Sequence, residues 1–255
     1  MIGLDPSHNP EFTTCEFYRA FADLEKLIDL TEKMFSGIAK HLDETVKRKS
    51  INLQLPTINY SRPFARLDFI PAIEAATGSQ LPELALPEAQ ERVVQILQDC
   101  SIPLPQERTL PQLLDRLSSV LLEPQCIKPT FIINYPECLS PLSKSFVHPS
   151  RNQRVSARAE LFVNGQEIVN TYEEENSPFE QRKKFVKQTK QHGDGDAGSA
   201  IDESYLEALE WGLPPTGGWG CGIDRLCMLM LGVSRIGDVL SFGTLRNVVA
   251  LSQGR

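Results

Sequence analysis

The stretch Ala159–Tyr172, AELFVNGQEIVNTY, carries the clearest structural signal in the chain. Two apolar runs rich in β-branched residues flank Asn164-Gly165, and Asn-Gly favours a two-residue type I′ turn because both positions need φ > 0. The pattern therefore predicts a β-hairpin. A further strand is predicted upstream, over Thr130–Asn134, where β-branched and aromatic residues again predominate.

The hairpin brings two carboxylates together. Counting outward from the turn puts Glu160 opposite Val169 and makes Glu160 and Glu167 diagonal neighbours on one face. Diagonal neighbours lie roughly 7 to 8 Å apart, so both side chains could reach one or two hard cations with a phosphate between them. The competing interpretation is a solvated face on which the charges are tolerated, with Arg158 on the same face as a salt-bridge partner.

Helical periodicity surrounds these strands. Apolar residues recur three to four positions apart over Leu24–Leu42, which predicts an amphipathic helix. The region Pro71–Pro124 predicts two helices, Pro87–Cys100 and Leu110–Leu122, with prolines between them, and is typical of a helical insertion. A basic helix is predicted over Phe179–His192.

Composition excludes several classes of protein. Of 255 residues, 41% are hydrophobic and 23% charged, which is ordinary globular usage. The 26 Lys+Arg against 33 Asp+Glu argue against sequence-independent binding of nucleic acid, which needs a basic surface. No apolar run approaches the roughly 20 residues that cross a bilayer, and the N-terminal residues carry no targeting pattern. The six cysteines show no CxxC spacing, so we expect free thiols in a reducing compartment.

The segment His8–Tyr18, HNPEFTTCEFY, concentrates polar and aromatic side chains. In an extended strand, Phe12, Glu16 and Tyr18 would share a face that could stack on a base and receive an ammonium group. The alternative is that the segment forms the first turns of the following helix, with Glu16 in solvent. Periodicity does not decide between the two.

A glycine-rich stretch, GLPPTGGWGCGIDRLCML, spans residues 212–229 and predicts a turn that leads into an apolar helix with Arg225 in its first turn. The amide end of a helix together with a guanidinium favours a phosphate. The glycines match neither GxGxxG nor the P-loop pattern. Arg225 among apolar neighbours needs a partner, which a ligand phosphate or base could supply.

Four stretches in order resemble lysyl-tRNA synthetases, which are class II aminoacyl-tRNA synthetases. HNPEFTTCEFYRAFAD resembles the second half of that class's motif 2, and GLPPTGGWGCGIDRL resembles motif 3. Between them, KPTFIINYPECLSPLSK and ELFVNGQEIVNTYEE continue the similarity. The C-terminal SRIGDVLSFGTLRNVVAL is most similar to fungal mitochondrial members, which predicts the mitochondrial matrix, with the cytoplasm as the alternative.

The resemblance implies an α+β fold: an antiparallel sheet flanked by helices, with a helical insertion at about residues 71–125. It also implies ATP-dependent, Mg²⁺-assisted conversion of L-lysine to lysyl-adenylate and transfer to the acceptor end of tRNA(Lys). The implied roles are ATP binding by His8, Asn9, Phe12 and Arg225, with Arg225 catalytic, lysine binding by Glu16, Tyr18, Asn170, Tyr172 and Glu174, and metal binding by Glu160 and Glu167. Within this scheme the Glu16 carboxylate pairs with the ε-ammonium of lysine.

The role that the resemblance implies for Asn170 conflicts with the strand pairing predicted for the hairpin. Strict alternation after Glu167 turns Asn170 to the opposite face, away from the carboxylates. The role of Asn170 in lysine binding therefore predicts a bulge between Glu167 and Tyr172.

The start of the chain departs from the family pattern. An Arg-Asn-Glu sequence is expected just before Gly3, where Met1 and Ile2 stand in the Asn and Glu positions. Motif 1, which would form the family's homodimer interface, and the anticodon-binding domain are not found, so residues 1–255 resemble an incomplete catalytic domain with weak or no activity by itself. The alternatives are a catalytically inactive paralogue acting as a binding or regulatory module, and a ligase that attaches an amino acid to a protein. The basic segment from Arg182 to Lys190 could touch the acceptor stem or form a solvated helix face.

Overall fold

The fold is described from a computed structural model, which covers Asn9 and residues 11–50, 54–192 and 201–240. The strands are β1 (Thr14–Ala20), β2 (Ala65–Asp68), β3 (Thr130–Ile133), β4 (Ser145–Val147), β5 (Arg154–Ser156), β6 (Arg158–Val163), β7 (Gln166–Glu173) and β8 (Thr216–Gly222). The helices are α1 (Leu24–Arg48), α2 (Phe69–Thr77), α3 (Ala89–Asp99), α4 (Leu110–Leu121), α5 (Pro178–His192), α6 (Glu203–Glu210) and α7 (Ile223–Leu231). The predicted α+β class is confirmed.

Six strands form one sheet in the order β1-β8-β7-β6-β3-β2, and β4 pairs with β5 separately. The sheet is antiparallel apart from β2 and β3, which run parallel. A parallel pair needs a crossover connection, and here the crossover consists of α2, α3 and α4. The predicted antiparallel sheet is therefore present, with this one parallel pair at its edge.

The two faces of the sheet are covered differently. On one face α1 buries Leu27, Ile28 and Phe35 against the sheet, where Phe131 and Trp219 lie in the same apolar cluster. On the other face α2, α3 and α4 pack over the end of the sheet that contains β3 and β6. These helices leave the β1-β8-β7 end of that face uncovered. The predicted helical insertion therefore builds one wall and leaves space for a site beside it.

The long helix α1 begins at a clear signal. Asp23 is its N-cap, and its side chain accepts a hydrogen bond from the Lys26 backbone N at 2.9 Å. The helix extends to Arg48, beyond the predicted end at Leu42, because its last turns carry charged residues that obscure the apolar periodicity but favour helix. No described helix is long and apolar enough to span a membrane, and all six cysteines are free.

Two local predictions are settled by the sheet. Residues Thr14–Tyr18 of the N-terminal segment lie in strand β1, so the strand alternative is correct for Glu16 and Tyr18 and the helix alternative is wrong, whereas Phe12 precedes the strand. Gly217, Gly218, Gly220 and Gly222 lie within strand β8 rather than in a turn, so that prediction is corrected. Glycine has low strand propensity, but β8 lies between β1 and β7, whose large side chains occupy the space above it.

Candidate active site

A pocket of about 640 Å³ lies on the uncovered half of the sheet, bounded by β1, β7, β8 and the start of α7. It brings together most of the predicted site residues: Asn9, Phe12, Glu16, Tyr18, Glu167, Asn170, Tyr172, Glu174 and Arg225. Glu160 does not line it, and His8 lies outside the described residues. A concave site with aromatic walls and a few carboxylates suits a small ligand that carries positive charge.

The glycines of β8 form the floor of this pocket. Gly220 lies between Glu16 of β1 and Asn170 of β7, and Gly218 lies between Tyr18 and Tyr172. Because register partners point to the same face, each glycine lies between two predicted site residues, and the Glu174 carboxylate lies over Gly218. The site therefore consists of two rows across the sheet, a Glu16–Gly220–Asn170 row and a Tyr18–Gly218–Tyr172 row.

The position of Asn170 depends on an irregularity in the hairpin. Val163 pairs with Gln166 and Phe162 with Glu167, as counted, but the register then shifts and Asn170, not Val169, lies opposite Glu160. The predicted bulge is confirmed, with Ile168 as the extra residue.

The extra residue in β7 turns Asn170 to the same face as Glu160 and Glu167. Ile168 itself is buried in the α1-side apolar cluster. The conflict between alternation and the implied role of Asn170 is thereby resolved.

Glu174 contributes a buried carboxylate to the pocket. Its side chain is only 5% exposed, and its Oε1 atom has no hydrogen-bond partner among the described residues. Burial raises the pKa of Glu174 to about 7. Burial, followed by the negative charge of Glu174, also raises the pKa of Tyr18 and Tyr172, so both hydroxyls are neutral donors near neutral pH. A buried carboxylate with an unused oxygen is a receptor for a cationic group.

Glu160 lies beside the pocket, on the neighbouring strand β6, in a polar network. Arg158 Nη2 donates to Glu160 Oε1, and the Tyr135 hydroxyl donates to Glu160 Oε2 at 2.5 Å. The Arg158 guanidinium also lies over the Tyr135 ring, 4.9 Å from its centroid. The salt bridge that competed with metal binding is therefore present, but it is buried, whereas the competing interpretation placed it in solvent.

The Glu160 and Glu167 carboxylates are chemically suited to hold a magnesium ion. Burial, and then the charge of Glu160, raises the pKa of Glu167 to about 7, so the two carboxylates repel each other and a cation between them would offset that repulsion. No cluster of three or more His, Cys, Asp or Glu side chains suited to a metal occurs in the described ranges. Magnesium is commonly held by one or two carboxylates with phosphate oxygens and water completing its shell, so two carboxylates suffice.

The first turn of α7 forms the end of the pocket farthest from Glu174. Arg225 Nη1 donates to the Glu167 backbone carbonyl at 3.0 Å. Its neighbour Asp224 accepts from the Thr13 backbone N at 2.6 Å, and Ile223 N donates to Thr13 O at 2.9 Å. These bonds hold Phe12, which is 58% exposed, at the same end as Arg225. An aromatic face and a guanidinium can together bind a purine base and a phosphate.

Three residues that help to build the site were not among the predicted site residues: Tyr135, Asp224 and Arg158. Arg158 had been considered only as a competing salt-bridge partner. Arg158 could have been found from sequence because it stands two positions before Glu160 and shares its face. Tyr135 and Asp224 act through contacts with residues distant in the chain, which local patterns do not reveal.

The basic helix α5 is largely neutralised by its neighbours. Arg182 makes two hydrogen bonds to Glu203, Lys183 pairs with Glu180, and Lys187 pairs with Glu137. Lys184 is buried and pairs with Glu175 at 2.8 Å. These pairs favour the solvated helix face over an acceptor-stem contact.

Comparison with known proteins identifies relatives of the whole described fold. A family model described as tRNA synthetases class II (D, K and N) matches residues 3–246. The chain is 42% identical over 255 residues to the mitochondrial lysine–tRNA ligase of Schizosaccharomyces pombe, a match covering 96% of this chain and 46% of that protein. It is 41% identical over 254 residues to a probable cytoplasmic lysine–tRNA ligase of Vairimorpha ceranae, covering 96% and 49%.

A third relative is the lysine–tRNA ligase cla4 of Cladosporium cladosporioides, which is 39% identical over 252 residues, with 96% of this chain and 42% of that protein covered. The chain therefore spans about half the length of the curated relatives it matches. The relatives include proteins named as mitochondrial and as cytoplasmic, so the comparisons do not determine the compartment.

Proposed function

The chain belongs to the class II tRNA synthetases (D, K and N), and we propose that it activates L-lysine with ATP as part of a lysine–tRNA ligase. Residues 1–255 would then belong to its catalytic domain, with the helical insertion at about residues 71–125. The observation that carries this proposal is the buried Glu174 carboxylate, whose Oε1 has no partner among the described residues. A ligand cation would pair with this atom.

The two rows of the pocket match the two ends of lysine. In the first row, Asn170 Oδ1 accepts from Arg158 Nε at 3.0 Å, which leaves its amide N–H groups for an acceptor such as the lysine α-carboxylate. Glu16, across Gly220, would take the α-ammonium. The second row and Glu174 lie farther along the strands, where Tyr18 and Tyr172 would border the aliphatic side chain.

This arrangement changes one role implied by the resemblance. Glu16 is exposed whereas Glu174 is buried, and an ion pair gains more in the less hydrated position. We therefore assign the ε-ammonium to Glu174 rather than to Glu16.

ATP would occupy the other end of the pocket, with adenine against Phe12 and Arg225 beside the phosphates. Glu160 and Glu167 would hold Mg²⁺, which when bound supplies neutralisation of phosphate charge. A lysine carboxylate oxygen then attacks the α-phosphorus, a P–O bond forms, and pyrophosphate leaves with the electrons of the broken P–O bond. Orientation by Asn170 and positive charge from Arg225 are the contributions of this chain.

Transfer to tRNA, the oligomeric state and the compartment are also proposals. The lysyl group would pass to the acceptor end of tRNA(Lys), the protein would be a homodimer, and the mitochondrial matrix is the compartment we propose, with the cytoplasm as alternative. The pocket has groups for both ends of lysine, which favours a ligase over a binding module that has lost its site.

Isothermal titration calorimetry with L-lysine and L-norleucine tests the proposal, since norleucine has the same carbon chain and α-ammonium but lacks the ε-ammonium. We expect lysine to bind at least about 100-fold more tightly, because norleucine leaves the Glu174 carboxylate unpaired. L-arginine is the control for charge alone, and the bidentate guanidinium should fit less well. Equal affinity for lysine and norleucine would refute the proposed substrate.

Lysine affinity should also depend on pH. Glu174 has a pKa of about 7 in the free chain, and only its ionised form pairs with the ε-ammonium, whose pKa is about 10.4. Affinity should therefore rise about tenfold from pH 6 to pH 8, with about half a proton released on binding at pH 7. Tyr18, Tyr172 and Tyr205, which lie near Glu174, have raised pKa values and stay neutral throughout.

Calorimetry in two buffers of different ionisation enthalpy measures this proton release. An affinity that fell as the pH rose would contradict the role of Glu174.

A further inference from the structure

Arg158 forms the centre of a buried polar network beside the proposed lysine site, on the neighbouring strand β6. Its side chain is 16% exposed. Nε donates to Asn170 Oδ1 at 3.0 Å. Nη1 donates to the Leu139 carbonyl at 3.0 Å and to Ser140 Oγ at 3.1 Å, and Nη2 donates to Glu160. The guanidinium is thus fixed by four acceptors.

This fixed guanidinium determines which way Asn170 faces. The amide of asparagine has an acceptor on one side and donors on the other, with nearly the same shape. Because Arg158 has only donors, it accepts no amide N–H and selects the orientation in which Oδ1 points toward it. The donor side of Asn170 is then turned to the pocket.

We propose that Arg158 is a positioning residue that makes the lysine site specific for an α-carboxylate by fixing the orientation of the Asn170 amide. The inference rests on the proposed function. Without Arg158, Asn170 can rotate and present its oxygen to the ligand carboxylate, so two acceptors would face each other. Arg158 also holds Glu160, so one residue joins the amino-acid end of the pocket to the proposed metal carboxylates.

The test compares L-lysine with cadaverine, the diamine that keeps the side-chain ammonium and lacks the carboxylate. In Arg158→Met we expect lysine affinity to fall about tenfold, the effect of a lost hydrogen bond to a charged group, while cadaverine affinity changes less than about twofold. A structural defect would weaken both ligands alike. Arg154→Met is the matched control, since it removes an arginine–carboxylate pair with Glu137 away from the pocket.

Asn170→Asp keeps the test decisive if Arg158→Met does not fold. The carboxylate still accepts from Arg158 but replaces the pocket-facing donor with a negative oxygen, so lysine should bind roughly 30-fold more weakly because like charges meet. Cadaverine should bind at least as tightly as before. Unchanged lysine affinity in either folded variant, or equal loss of both ligands, would overturn the inference. Failure of the wild-type chain to bind lysine would instead refute the proposed function.

Discussion

Replacing Glu174 with glutamine is expected to weaken lysine binding by about 1,000-fold, because removing one partner of a buried ion pair costs roughly 3 to 5 kcal/mol. The substitution keeps the shape of the side chain and removes only its charge. Folding should not suffer, since the free chain buries this carboxylate without a partner for Oε1 and burial disfavours its charged form. We expect Glu174→Gln to unfold at a temperature equal to or above that of the wild type near pH 8.

The comparison variant is Glu16→Gln, which neutralises the exposed carboxylate of the first row. If Glu174 takes the ε-ammonium, norleucine affinity should be unchanged in Glu174→Gln and reduced in Glu16→Gln, because norleucine retains the α-ammonium. Calorimetry with both amino acids on both variants measures this. If norleucine affinity fell in Glu174→Gln and stayed unchanged in Glu16→Gln, Glu16 would be the partner of the ε-ammonium, as the resemblance implied.

The hairpin shows how far local sequence determines the fold. Asn164 and Gly165 both have positive φ, 52° and 70°, as the type I′ turn requires. The residue pairs nearest the turn are those predicted by pairing outward from it. The shift beyond Phe162 does not follow from alternation. It places Ile168 in the apolar cluster with α1 and Asn170 in the pocket, and both environments are made by segments far away in the chain.

Strands β1 and β8 also show that local sequence does not determine every element of the fold. A short segment such as Thr14–Ala20 fits a period of 2 or 3.6 about equally well, and pairing with β8, about 200 residues later, decides in favour of the strand. Glycines indicate a turn in local statistics. In β8 their role is set by Glu16, Tyr18 and Glu174, whose side chains lie over the strand. The resemblance suggested the candidate site residues, most of which line one pocket, but the polar network around them could not be predicted from local sequence.

Gly218→Ala should weaken lysine binding as much as Glu174→Gln does, although it changes no charge. A Cβ atom at position 218 would lie 2.0 Å from Glu174 Oε1 and 3.3 Å from Tyr18 Cε1. These atoms belong to side chains that can move, so the protein should still fold, with a loss of stability of about 1 to 2 kcal/mol. The carboxylate, however, must leave the position from which we propose that it receives the ammonium, and we expect an affinity loss of about 1,000-fold.

Gly222→Ala is the matched control for this variant. It lies on the same strand and the same face of the pocket, but its added Cβ would meet only Arg225 side-chain atoms, at 3.9 Å, an ordinary contact. Lysine affinity should therefore stay within about threefold of the wild type, a change of less than 1 kcal/mol. If Gly218→Ala bound lysine like Gly222→Ala while folding normally, the ammonium would not be received by the Glu174 carboxylate in the position described, and the assignment of the second row would be wrong.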